Sequence, residues 1–133
     1  MQSPQRIHLG DQVSIGENCY LMGQGGITIG AGSILANHSI IATVNHGMGG
    51  IYFGNAYAQP VVLGQNIWTG SGAIILPGVT IGDYAIIGAG AVVTGDIAAN
   101  QIAYGIPARP VGDAPQDPQQ RRALVMMRQA SSR

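Results

Sequence analysis

The sequence predicts an all-β chain wound as a parallel β-helix, a triangular prism of hexapeptide coils, with one ejected loop and a short C-terminal helix. Three observations predict it. An aliphatic residue returns at every sixth position over most of the chain. A small residue follows most of those positions. The pattern then breaks in two places, after His46 and towards the C-terminus.

The period begins at Leu9, Ile15 and Leu21. Its phase slips by two residues at Gly25-Gly26 and resumes at Ile29, Leu35 and Ile41. After an interruption it returns at Leu63, Thr69, Ile75, Ile81, Ile87 and Val93, where only Thr69 is not aliphatic. A second small or apolar residue sits two positions earlier, as in Val61, Ile67, Ala73, Val79, Ala85 and Ala91. A helix needs a period near 3.6 and an ordinary strand a period near 2, and neither fits. Each hexamer therefore reads as one short strand and one turn, three hexamers closing a coil with the aliphatic residue inside. Stacked coils bury a continuous column. The glycine after the aliphatic residue (Gly10, Gly16, Gly30, Gly64, Gly70, Gly82, Gly88) is expected to turn the corner, because glycine takes φ > 0 without steric cost.

Residues 46–59 lack the repeat and are expected to leave the prism as a loop carrying two of the five tyrosines and the only phenylalanine. Loops on a rigid scaffold are where binding residues concentrate. The repeat fades after Asp96, and Ile97 to Pro110 reads as a closing extended segment. Asp117-Pro118 has the form of an N-cap followed by proline at the first helical position. Gln119 to Gln129 then forms a short helix with Ala123, Leu124, Met126 and Met127 near one face, a latch for the prism end. The division is a prism domain over 1–112 and a tail over 113–133.

Composition excludes several classes. Six basic and six acidic side chains cancel, so no overall field draws the chain to nucleic acid or a membrane surface. No apolar run reaches the roughly 18 residues of a membrane helix. Charged residues are only 9% of the chain, which leaves apolar surface for a homo-oligomer to cover. The single cysteine, Cys19, rules out an internal disulfide framework. The opening MQSPQRIHLG lacks a charged-then-apolar leader, so a cytoplasmic location is expected.

Four stretches are specific. They are Ile67-Trp-Thr-Gly-Ser-Gly-Ala-Ile-Ile-Leu-Pro-Gly-Val-Thr-Ile-Gly-Asp83, Ile87-Gly-Ala-Gly-Ala-Val-Val-Thr-Gly-Asp96, Gly105-Ile-Pro-Ala-Arg109, and Thr43-Val-Asn-His46 at the mouth of the loop. Through them the chain, from Ile7 to Val111, resembles the hexapeptide-repeat acyltransferases. It is most similar to the galactoside and maltose O-acetyltransferase branch and the related polysaccharide O-acetyltransferases. The resemblance implies left-handed winding and a homotrimer with active sites in clefts between neighbouring prisms. It implies acetyl-CoA as donor, with the pantetheine arm along the prism, and no metal in the chemistry. Ser71, Ala89, Gly90 and Thr94 match positions that the family sets against the pantetheine. Arg109 matches an arginine that meets the nucleotide phosphates, a task suited to a guanidinium. The family's lysine after the threonine is Gly95 here, which leaves phosphate contacts to Arg109, Arg121 or Arg122. The branch's asparagine near the acceptor falls on Gly16, with Asn18 two residues on.

His46 closes a coil and opens the loop, where the family keeps its catalytic histidine. An acceptor hydroxyl becomes a good nucleophile when a positioned base takes its proton, and imidazole suits this near neutral pH. Backbone N–H groups of the coil wall would hold the oxyanion. The alternative is an ordinary loop histidine. His38 is a surface turn residue or a lining of the acceptor site, and His8 is structural. Trp68 points outward beside Ile67, towards either substrate or a subunit interface. Tyr57 and Gln59 offer hydrogen bonds to an acceptor, and such a mixed lining suits a sugar. A γ-class carbonic anhydrase shares the prism but needs a close histidine pair for zinc. His38 and His46 stand eight apart, and zinc takes three or four tightly placed ligands.

The leading expectation is thus an acetyl-CoA-dependent O-acetyltransferase acting on a sugar, glycan unit or other small hydroxylated molecule. The alternatives are an N-acetyltransferase on an amino sugar and a non-catalytic β-helix scaffold.

Overall fold

A computed structural model describes residues 1–46, 56–117 and 119–121. Its strands stack into three parallel faces of a left-handed prism. The first face carries Ile7–Leu9, Ile27–Ile29, Val61–Leu63 and Thr80–Ile81, with Ile97 bridging Ile81. The second carries Ser14–Ile15, Ile34–Leu35, Trp68–Thr69, Ile86–Ile87 and Gln101–Tyr104. The third carries Tyr20–Leu21, Ile40–Ile41, Ile74–Ile75 and Val92–Val93.

Register aligns the repeat with itself. Leu21, Ile41, Ile75 and Val93 pair in line on the third face, and all are buried. The second column is equally buried at Val61, Ile67, Ala73, Val79, Ala85 and Ala91. The inward column fails only at the first coil, where Leu9 is 46% exposed and Ile15 half-buried.

The corners differ from expectation. None of the glycines that directly follow the aliphatic residues has positive φ. The left-handed corner falls three positions after the aliphatic residue, at Gln12, Asn18, Gly32, His38, Asn66, Gly72, Gly78, Tyr84 and Gly90. The preceding glycines are needed for close stacking instead. A Cβ on Gly70 would lie 2.5 Å from the Ala89 nitrogen, and one on Gly82 would lie 2.4 Å from the Ala99 nitrogen. Paired strands stand about 4.8 Å apart, which leaves no room there for a side chain.

The phase slip at Gly25-Gly26 is a 3₁₀ turn over Gly23–Gly25, with Gly26 at φ 94°. The start and end of the expected loop over 46–59 are not loop: Val44–His46 and Ala56–Ala58 pair as an antiparallel ribbon. Residues 47–55, with Tyr52 and Phe53, lie outside the described residues.

The repeat does not fade after Asp96. The chain passes through Ile97, turns a corner at Asn100 (φ 64°) and adds Gln101–Tyr104 as a fifth strand of the second face. Arg109–Asp113 then returns antiparallel and runs one residue past the division expected at 112. Asp117 caps a helical turn as expected, its Oδ1 accepting the N–H of Gln119 at 2.7 Å and of Gln120 at 3.2 Å. Pro118 and the rest of the expected helix lie outside the described residues. Among those described, no helix is long and apolar enough to cross a membrane.

Candidate functional site

The candidate residues fall on two edges of the prism. The third edge, where the chain passes from the third face back to the first, carries His46. Thr43 is fully buried there. Its hydroxyl donates to the Met22 carbonyl and accepts the Gly25 N–H at 2.8 Å. Its own carbonyl accepts the Gln59 N–H at 2.8 Å. From this root the ribbon leaves the prism with His46 opposite Ala56 and Asn45 opposite Tyr57. His46 and Tyr57 are both exposed. Side chains alternate along a strand, so Tyr57 shares a ribbon face with Asn45 and not with His46. Gln59 lies over the next coil, where a Cβ on Gly78 would come within 3.0 Å of its Oε1. Thr94 and Gly95 are exposed on the same edge, two coils further along.

The second edge runs from Asn18 through His38 and Gly72 to Gly90, all at positive φ. The stack is held by backbone bonds from His38 N to Glu17 O, Gly72 N to Asn37 O, and Gly90 N to Ser71 O, at 2.9–3.0 Å. Side chains stand at the first two corners, and the next two are bare. Ser71 and Ala89 are exposed immediately before the bare corners. A Cβ on Gly90 would meet nothing within 4 Å. The edge continues to Gly105, whose carbonyl accepts the Val92 N–H at 3.0 Å, and then to the exposed Arg109.

Gly16 also has its explanation here. A Cβ on it would lie 2.4 Å from Asn37 Oδ1, an atom already accepting the Glu17 N–H at 2.8 Å. That position excludes any side chain, and Asn18 is the exposed residue of the corner.

One expectation gains detail and another changes. Trp68 does face outward, but it packs against Ile86, Ile102 and Ala114 of its own chain. Arg121 is not spare for a phosphate. Its guanidinium donates to the carbonyls of Tyr84 at 2.9 Å, Asn66 at 3.0 Å and Pro115 at 3.2 Å, which ties the tail to the first edge. Burial holds its pKa below the ordinary arginine value, against an opposing contribution from Tyr84. Arg122 lies outside the described residues.

His8 is exposed on the first face, away from His38 and His46. Among the described residues no three of His, Cys, Asp and Glu gather as metal ligands would. Within one chain the third face separates His46, Tyr57, Gln59 and Thr94 from Asn18, His38, Ser71, Ala89 and Gly90. Thr43 is the residue that sequence reasoning passed over. The repeat carried no signal for it, because two positions past an aliphatic residue the other coils also place polar residues, as at Asp11, Glu17, Asn37 and Ser71.

Residues 60–95 match the family model for the bacterial transferase hexapeptide (six repeats). Residues 6–41 match that for the hexapeptide repeat of succinyl-transferase. The chain is similar to a putative acetyltransferase of Schizosaccharomyces pombe, 40% identical over 111 residues, which span 79% of this chain and 52% of that one. Its fold is similar to a galactoside acetyltransferase in complex with coenzyme A, with 32% identity, a TM-score of 0.66 and coverage of 85% of this chain and 60% of the other. It is also similar to a maltose O-acetyltransferase from Clostridium difficile 630, with 31% identity, a TM-score of 0.61 and coverage of 84% and 68%. The chain spans about half the length of the curated relatives it matches.

Proposed function

Because this chain belongs to the bacterial transferase hexapeptide family, we propose that it moves an acetyl group from acetyl-CoA to a hydroxyl of a sugar, glycan unit or other small acceptor, with His46 as general base. The observation that carries this reading is an exposed histidine held on a ribbon whose root is buried in the prism. The imidazole takes the proton of the acceptor hydroxyl as its oxygen attacks the thioester carbonyl. A carbon–oxygen bond forms, the carbon–sulfur bond breaks, and the proton passes on to the departing thiolate.

The second edge fits the donor. Bare corners at Gly72 and Gly90 beside the exposed Ser71 and Ala89 leave space for a slender arm, and Arg109 stands where phosphates would lie. His46 and this track occupy different edges of one prism. We read the site as completed by a neighbouring copy, one chain supplying the base and the next the donor track, in a homotrimer. Asn18 and His38 then line the acceptor end of the track.

The test is release of free thiol from acetyl-CoA with a panel of galactosides, maltose, amino sugars and other small alcohols. Release that depends on an acceptor without an amine supports O-transfer, and release confined to amino sugars supports N-transfer. His46→Ala is expected to keep the oligomer and CoA affinity while turnover falls about 10²- to 10⁴-fold. Unchanged turnover removes His46 from its role. A chain whose melting point does not move with added acetyl-CoA is a scaffold rather than an enzyme, since a ligand of the folded state must stabilise it.

A further inference from the structure

The two irregularities of the repeat meet at one place. The phase slip places Met22 and the 3₁₀ turn Gly23–Gly25 at the third edge, and the ejected segment leaves that edge in the next coil. Between them stands Thr43, fully buried, with its hydroxyl joined to Met22 O and Gly25 N–H. Its carbonyl holds the Gln59 N–H, so both strands of the ribbon are pinned at this residue. A Cβ on Gly25 would lie 2.9 Å from the Gln59 nitrogen and from the Thr43 Cβ and carbonyl oxygen, so the turn packs on the root without a gap.

We propose that Thr43 is a positioning residue for His46: its hydroxyl plugs the socket made by the phase slip and fixes the direction in which the ribbon presents the imidazole. The inference rests on the reading of His46 as base. A two-stranded ribbon is marginal by itself in water, and the described part of this one has three residue pairs. Its aim must come from the root. His46 lies three positions beyond Thr43, so a tilt at the root becomes a displacement at the ring. Misplacement of a catalytic group by about 1 Å costs up to ~10²-fold in rate.

Thr43→Val keeps the shape and removes the hydroxyl, while Thr43→Ser keeps the hydroxyl. In the intact oligomer, with acetyl-CoA and the panel sugar that turns over fastest, Thr43→Val is expected to lower kcat by about 10-fold or more and leave the KM for acetyl-CoA unchanged. Thr43→Ser should restore kcat. In a His46→Ala background, Thr43→Val should lower kcat no further, because the group it aims is gone. Amide hydrogen exchange over 44–46 and 56–59 should quicken in Thr43→Val and not in Thr43→Ser, with or without an acceptor. Wild-type kcat or unaltered exchange in Thr43→Val overturns the inference. So does an equal loss in the His46→Ala background, which marks Thr43 as a general structural prop. Full turnover in His46→Ala by itself removes the base reading and this inference with it.

Discussion

The hydroxyls of Ser39 and Thr69 meet inside the prism, 3.0 Å apart and shielded from water. Ser39 also donates to the Ala36 carbonyl at 2.7 Å, so the Thr69 proton is the one shared between the two hydroxyls. Thr69 is the one break in the aliphatic column, and this bond explains how a hydroxyl is tolerated there. Ser39→Ala takes away the partner and leaves a buried hydroxyl unmatched, a cost of about 1–3 kcal/mol. Adding Thr69→Val removes the orphan and restores the column. Urea denaturation at fixed protein concentration should place the double variant above Ser39→Ala. A double variant less stable than the single contradicts the pairing.

Two glycines should separate cleanly. Gly70→Ala drives a Cβ to 2.5 Å from the Ala89 nitrogen and 2.8 Å from its Cα. The coil has to open, at about 1–3 kcal/mol. Gly95→Ala meets nothing within 4 Å and should stay within about 0.5 kcal/mol of the parent. The same open space admits Gly95→Lys. If CoA phosphates pass this edge of a neighbouring copy, the new charge lowers the KM for acetyl-CoA by up to about 5-fold, as an exposed ion pair does. The gain should fade with added salt. A KM that does not respond places the phosphates elsewhere.

Arg121 should prove to be a structural tie. Arg121→Ala frees three carbonyls and loosens the tail, at about 1–3 kcal/mol. Arg121→Lys should not restore the loss, because an ammonium lacks the planar fork that reaches all three carbonyls. Trp68, the only tryptophan in the chain, packs against a cluster that includes Ala114 beside the tail, so a red-shifted emission should accompany release. Neither variant should change the KM for acetyl-CoA, and a raised KM would return Arg121 to the donor site.

The prism was legible in the sequence because its cause is local and repeated. Ile29, Leu63 and Ile81 must face inward, since each lies six or twelve residues from another member of the column and shares its register. The break in the same periodicity located the insertion at His46, and the Asp-Pro pair marked the Asp117 cap. The periodicity misassigned the corner glycines because sequence shows that a small residue is wanted and not what it must avoid. Gly70 avoids the next coil, whereas Gly72 makes the turn. The last strand was hidden because the phase slips again by two residues: Leu63 pairs with Ile81 18 positions on, but Ile81 meets Ile97 and Ile87 meets Ala103 only 16 positions on.

The sequence by itself determined the coil, its inward column and the place where the chain leaves it, because hydrophobic periodicity acts residue by residue. Tertiary structure decided the rest. It showed that Arg121 spends its donors on Tyr84, Asn66 and Pro115, that Trp68 packs against the cluster of Ile86, Ile102 and Ala114, and that Gly16 has no room for a side chain. It placed Tyr57 and His46 on opposite faces of one ribbon and gave Thr43 the root of it. Such relationships depend on which coil stacks on which, and contacts between residues 18 to 55 positions apart carry no mark in the chain between them.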